Sequence, residues 1–144
     1  MWADTLRAAE RAHLLHLLAW GAASLIAGTA LVLVIMVRRW SSELLFHFAA
    51  QMATWGGAIL VRTGVGWSRV GLRDLAGFTG LDRSLWLAVG LDIGCVAVGL
   101  TLTAAGWTLG RRLAAVGAGA GVMTQGLGLL LLHLHFLSIL ARIQ

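Results

Sequence analysis

Proline and tyrosine are absent from the 144-residue chain, cysteine occurs once, and charged residues make up only 12%. Without proline, no helix is broken by a missing amide donor. The lone Cys95 excludes an internal disulfide and a thiolate metal cluster, and its apolar setting reads as that of a small buried residue. The scarcity of charge excludes more. A soluble domain uses roughly 25% charged residues to cover its surface, and a disordered chain is poorer in apolar residues still. Here hydrophobic residues reach 59% and the mean hydropathy is +0.86. The composition is that of a chain embedded in a bilayer. Lysine is also absent, so the net charge of +5 rests on eleven arginines. They stand singly and in pairs at the ends of apolar stretches, with no basic run, which argues for helix-end anchoring and against a nucleic-acid partner.

An ionised side chain is costly at the bilayer centre, so the gaps between charges locate the spans. Four gaps stand out: Arg11 to Arg38, Glu43 to Arg62, Arg83 to Arg111 with only Asp92 inside, and Arg112 to Arg142. A spanning helix needs about 20 residues, which predicts an all-α integral membrane four-helix bundle with spans at about 13–37, 43–66, 85–107 and 113–141. Strands of about ten alternating residues, which a membrane barrel requires, are not seen. The first apolar stretch exceeds a cleavable signal core and reads as a retained helix. Residue 2 is tryptophan and the last four residues are Ala-Arg-Ile-Gln, so no lipidation signature is legible.

Trp40, Trp67, Trp86 and Trp107 fall at predicted span ends, where an indole rests with its apolar body in lipid and its one donor in water. The connection Ser68 to Arg83 mixes Val70, Leu72, Leu75 and Phe78 with charges, so part of it is expected to lie as a short interfacial helix. The segment Met1 to Arg7 is amphipathic as well. An even number of spans puts both termini and this connection at one end of the bundle. Seven arginines belong to that end (Arg7, Arg11, Arg62, Arg69, Arg73, Arg83, Arg142) and four to the hairpin tips (Arg38, Arg39, Arg111, Arg112). The positive-inside rule then places both termini in the cytoplasm.

Small residues recur four apart in every span: Ser24 and Gly28, Ala53 and Gly57, Gly90 and Gly94, Gly117 and Gly121. Such rows let helix backbones approach closely in lipid, within the chain or against another subunit. A faint repeat at an offset of 71 matches Gly28 with Gly99, Ala49 with Ala120 and Met52 with Met123. If it reflects ancestry rather than composition, the bundle is two tandem helical hairpins related by an axis along the membrane normal.

Polar side chains inside the spans are the candidates for a site. Asp92 lies roughly 10 Å deep at about 1.5 Å per residue, so it needs a buried partner or water. His13 and His16 enter the first span from the terminal end, and His133 and His135 leave the fourth toward it, so four of the five histidines share the level of Asp92. His47 lies near the other end. The turn angle lets at most one of His133 and His135 face a common site. Gln51 and Gln125 are expected to be buried polar groups. Three readings fit: a hydrogen-bonded pair that orients helices, haem or chlorin ligation by His16 with His133 or His135, or a proton, metal or substrate site using Asp92 with His16 and His133. No zincin run, nucleophile elbow, phosphate loop or intramembrane acid pair is present, so no catalytic residue and no metal site is predicted.

The pattern Trp20-Gly21, Phe46-His47 with Gln51 and Trp55-Gly56, Leu91-Asp92 with Gly99, and Gln125-Gly126 before the leucine run 129–132 resembles an uncharacterised family of small bacterial four-helix membrane proteins. The resemblance implies the fold and a bacterial inner membrane location, and no activity. The sequence reading is a non-enzymatic multi-pass protein, an accessory or structural subunit whose partners are the bilayer and either other membrane subunits or further copies of itself. A haem- or chlorin-binding redox protein and a small proton-coupled transporter using Asp92 are the alternatives.

Overall fold

The computed structural model describes residues 2–143, so Met1 and Gln144, the ends of the two terminal segments, lie outside the described residues. Four helices account for nearly all of it: α1 (Trp2–Arg38), α2 (Glu43–Ser68), α3 (Leu75–Thr108) and α4 (Leu113–Ile143). All four are long and apolar enough to cross a membrane. The chain is an all-α helical bundle.

Local chemistry sets the helix ends. Ser42 caps α2 by accepting from the amide of Leu45, and Asp74 caps α3 by accepting from that of Gly77 at 2.8 Å. At the hairpin tips the backbone turns through the left-handed region at Arg39 in one and at Gly110 and Arg111 in the other. Arg111 sets its guanidinium over the Trp107 ring at 5.3 Å, and Trp40, Trp67, Trp86 and Trp107 are all exposed on the outer surface.

Two helices begin well ahead of the expected spans. The interfacial helix expected between Ser68 and Arg83 is instead the first turns of α3, which starts at Leu75 and runs on without a break. Its Phe78 and Leu85 are buried with Leu6 of α1 and Phe136 and Leu140 of α4, so protein rather than headgroups covers them. Packing among the ends of these three helices holds α3 in its course.

The packing seams follow a seven-residue repeat. On α3 the buried row is Phe78, Leu85, Asp92, Gly99 and Gly106, and on α2 it is Ala49, Gly56 and Thr63. A repeat of 3.5 residues per turn keeps one stripe against a neighbour along the whole helix. Glycines bring the backbones close: a Cβ on Gly28 would lie 2.7 Å from the carbonyl oxygen of Ala49, and one on Gly99 would lie 2.6 Å from that of Gly119. The same two Cβ atoms would meet the amides of Ala53 and Met123, so the α1–α2 and α3–α4 hairpins pack in equivalent ways. The second helix is one residue out of the register that the sequence repeat suggests.

The hairpins join through α2 and α4, which run parallel. Gly117 abuts Leu44, Gly121 abuts Phe48 and Gln51, and Gln125 reaches Met52. Helix α1 also lies against α4, whereas α3 packs its backbone on α4 alone. An open groove therefore separates α2 from α3.

Candidate functional site

The row Gly117, Gly121, Gln125, Leu129 and His133 places one face of α4 toward its neighbours at four-residue intervals. Beside that row, on the side of α4 that packs against the heptad row of α3, Gly126 lacks a side chain: a Cβ there would lie 3.0 Å from the carbonyl oxygen of Asp92. The close approach puts His133 Nδ1 at 2.6 Å from Asp92 Oδ2. His133 is 0% exposed and Asp92 4%. The depth of Asp92 called for a buried partner or water, and His133 is the partner it meets.

The other ring nitrogen has none. Nε2 of His133 is buried without a hydrogen-bond partner among the described residues. His133 is also one of the residues lining a cavity of about 390 Å³ at the terminal end of the bundle. Leu14, Leu17, Leu85 and Phe136 make its apolar wall, and Glu10, His13, Arg62, Arg69 and His133 its polar one. His13 stacks on Phe136 with ring centroids 4.3 Å apart, and its centroid is 5.4 Å from that of His133.

Much of the polar wall is already committed. Both Glu10 oxygens are held by Arg73, Oε2 by Nε at 3.0 Å and Oε1 by Nη2 at 2.6 Å. This fork, an ideal match of planar groups, ties the 69–74 connection to α1 over the cavity. It also raises the pKa of the Arg73 guanidinium above its ordinary value, the hydrogen bond that Arg73 donates to Glu10 outweighing the loss of hydration. Thr63 donates its hydroxyl to Ile59 O at 2.7 Å, and Ser84 donates to Leu81 O at 2.7 Å. Arg62 and Arg69 are exposed at the rim, and neither has an ion pair or side-chain hydrogen bond among the described residues.

The structure sorts the sequence candidates by helix phase. His133 joins Asp92. His16 and His135 do not: both are exposed, edge-on to each other with centroids 6.1 Å apart on the outer surface. They therefore do not form an axial pair with His133 inside the bundle. Gln125 is 1% exposed and accepts from Trp20 Nε1 at 2.9 Å while its amide reaches Met52 Sδ at 3.2 Å. Gln51, expected buried, is only half-buried, because it faces the open groove beside Trp55, Gly90 and Gly94. His47 is exposed near the hairpin end. Among the described residues, no group of three His, Cys, Asp or Glu is arranged to hold a metal ion.

Glu10 is a site residue that the sequence reading missed, and His13 is one that it placed at the level of Asp92 without assigning it to a site. The signal was the series Leu6, Glu10, His13 and Leu17, spaced four, three and four, which is one stripe of α1 and excludes His16. No curated protein and no solved structure matches this chain. A family model does match, over residues 16–134, a stretch that includes Asp92 and His133 and stops short of Phe136. The chain therefore belongs to the family of unknown function DUF6992.

Proposed function

We propose that the chain is a multi-pass membrane protein, without catalytic chemistry of its own, that binds a small amphipathic molecule in the cavity at the terminal end of its bundle. One observation carries this reading: a fully buried imidazole nitrogen, Nε2 of His133, has no hydrogen-bond partner among the described residues, and its ring lines that cavity. An orphaned buried polar atom costs about 1–3 kcal/mol, which a bound molecule recovers by supplying the missing hydrogen bond. The cavity volume of about 390 Å³ falls within the usual range for small-molecule sites. The arginine excess at the terminal end favours a cytoplasmic opening of the cavity.

The test is to purify the protein and its His133→Leu variant in mild detergent from native membranes, then compare bound species by mass spectrometry and visible absorption. One molecule per chain in the wild type, lost from a folded variant, is the expected result. The same species at the same occupancy in both would sink the reading. A Soret band confined to the wild type would name the bound molecule as haem.

A second reading, the accessory subunit, draws on the groove between α2 and α3. There Gly90 and Gly94 face open space, with nothing within 4 Å of where a Cβ would stand. In lipid such a bare backbone surface suits a further transmembrane helix. Co-purification of a constant companion, crosslinked through Gly94→Cys, is the outcome expected under this reading.

A further inference from the structure

We infer that the ligand of this cavity is an anionic amphiphile, a carboxylate or phosphate oxygen on an apolar chain, with the oxyanion held by His133, Arg62 and Arg69. The inference rests on the cavity being a binding site and adds the ligand's chemistry.

The argument begins with the proton count of the buried pair. A net charge away from water is far costlier than a neutral, hydrogen-bonded pair. Neutrality requires two protons for Asp92 and His133 together. One lies between Asp92 Oδ2 and His133 Nδ1, across the 2.6 Å contact. It sits on the carboxyl or on the imidazole, and in both arrangements the second proton is on Nε2. The orphaned atom is therefore a donor, and the ligand must present an acceptor to it.

The rest of the wall points the same way. Glu10 is neutralised by Arg73, and the hydroxyl protons of Thr63 and Ser84 are spent on carbonyl oxygens of their own helices. The donors left unspent are His133 Nε2–H and the guanidinium groups of Arg62 and Arg69. His13 beside them is able to donate or accept. Two uncompensated positive charges over a neutral floor favour an anion, and guanidinium is the group best shaped to hold an oxyanion. In the same cavity, Leu14, Leu17, Leu85 and Phe136 form an apolar lining that suits an apolar segment. A volume near the lower end of the usual range suits one head and one chain.

The experiment uses the full chain in phosphatidylcholine nanodiscs and counts adducts per chain by native mass spectrometry. The probes are dodecanoate, dodecanol, dodecyltrimethylammonium and inorganic phosphate, with a separate arm in which the nanodiscs contain phosphatidylglycerol. Dodecanoate is expected to bind once, ahead of dodecanol and the ammonium. Arg62→Gln with Arg69→Gln, both at exposed positions, is expected to weaken it about tenfold or more, while Arg112→Gln at the other end leaves it unchanged. Asp92→Asn, whose amide NH2 is able to donate to Nδ1 and so leave the ring proton on Nε2, is expected to bind within a few-fold of wild type, whereas His133→Leu loses the preference for the acid. Phosphatidylglycerol retained in place of dodecanoate, with the same dependence on both arginines, supports the oxyanion and names a lipid headgroup as its source.

Equal binding of dodecanol, or tighter binding of the ammonium, overturns the anionic assignment and leaves the binding site standing. Inorganic phosphate binding as well as dodecanoate overturns the requirement for a chain. No adduct with any amphiphile overturns the inference and the binding reading together.

Discussion

The indole Nε1 of Trp20 donates to Oε1 of Gln125 at 2.9 Å and joins the first helix to the last in the middle of the bundle. It is an asymmetric contact. Gln125 is almost wholly buried, and its amide has only the soft sulfur of Met52 as a second partner, at 3.2 Å. Trp20→Phe is therefore expected to leave a buried acceptor unpaired, and Gln125→Leu to leave a buried donor unpaired. In a double-mutant cycle the coupling should be about 0.6–1.7 kcal/mol, the usual size for such bonds between membrane helices. Unfolding in detergent mixtures, followed by circular dichroism, measures it. Strict additivity of the two substitutions would show that the bond contributes nothing.

Asp92 and His133 are predicted to behave as a unit. Asp92→Leu strips Nδ1 of its partner and leaves an imidazole buried with both nitrogens unpaired, at a cost of about 3–5 kcal/mol. Asp92→Asn retains a hydrogen bond to the same nitrogen and should cost much less. Replacing both residues with leucine removes the polar groups together, so the double variant should be more stable than Asp92→Leu alone. The thermal melting order expected in detergent is wild type and Asp92→Asn first, the double variant next, Asp92→Leu last. Asp92→Leu melting with the wild type would mean that water, not His133, satisfies the carboxylate.

What the sequence made legible was depth, and what it hid was direction. Charge gaps marked out the four long apolar helices, and the level of Asp92 called for a buried partner or water. Of the two histidines offered by α4, the turn angle set His133 and His135 symmetrically about Gln125 and left the choice open, and the packing of α4 on α3 made it. On α1 the emphasis fell on His16, although Leu6, Glu10, His13 and Leu17 share the buried stripe. The early start of α3 was hidden because Asp82 and Arg83 resemble a break, whereas the helix carries both past the core made by Phe78 and Leu85. The parallel contact of α2 with α4, which leaves the α2–α3 groove open, depends on how two hairpins dock. No single-helix periodicity reports that.

The Glu10 to Arg73 fork is expected to act as a latch on the 69–74 connection. Glu10→Gln removes the charge and half of the fork, with a loss of about 1 kcal/mol for a partly exposed pair. The connection should then open roughly fivefold more often. Limited trypsin digestion in nanodiscs reads this directly, because Arg69 and Arg73 are both cleavage points in the segment. Cleavage after these residues should quicken in Glu10→Gln, and added salt should quicken it in the wild type. An unchanged rate in the variant would show that the helix ends alone hold the connection.

Gly99 and Gly94 lie on the same helix five residues apart and are predicted to respond in opposite ways. A Cβ at Gly99 would sit 2.6 Å from the Gly119 carbonyl oxygen and 2.6 Å from the Met123 amide, both backbone atoms that cannot swing aside. Gly99→Ala must push α3 away from α4, at a cost of about 1–3 kcal/mol. At Gly94 nothing lies within 4 Å, so Gly94→Ala fits without contact and gains up to about 1 kcal/mol in helix propensity. Detergent melting should therefore fall for the first variant and hold or rise for the second. Gly94→Leu extends the comparison to the groove: it leaves the isolated bundle folded but fills the space between α2 and α3. If a partner helix docks there, the companion protein should be lost from Gly94→Leu while the melting temperature stays near wild type. A companion retained by Gly94→Leu and lost from a substitution on the outer face of α1 would move the interface off the groove.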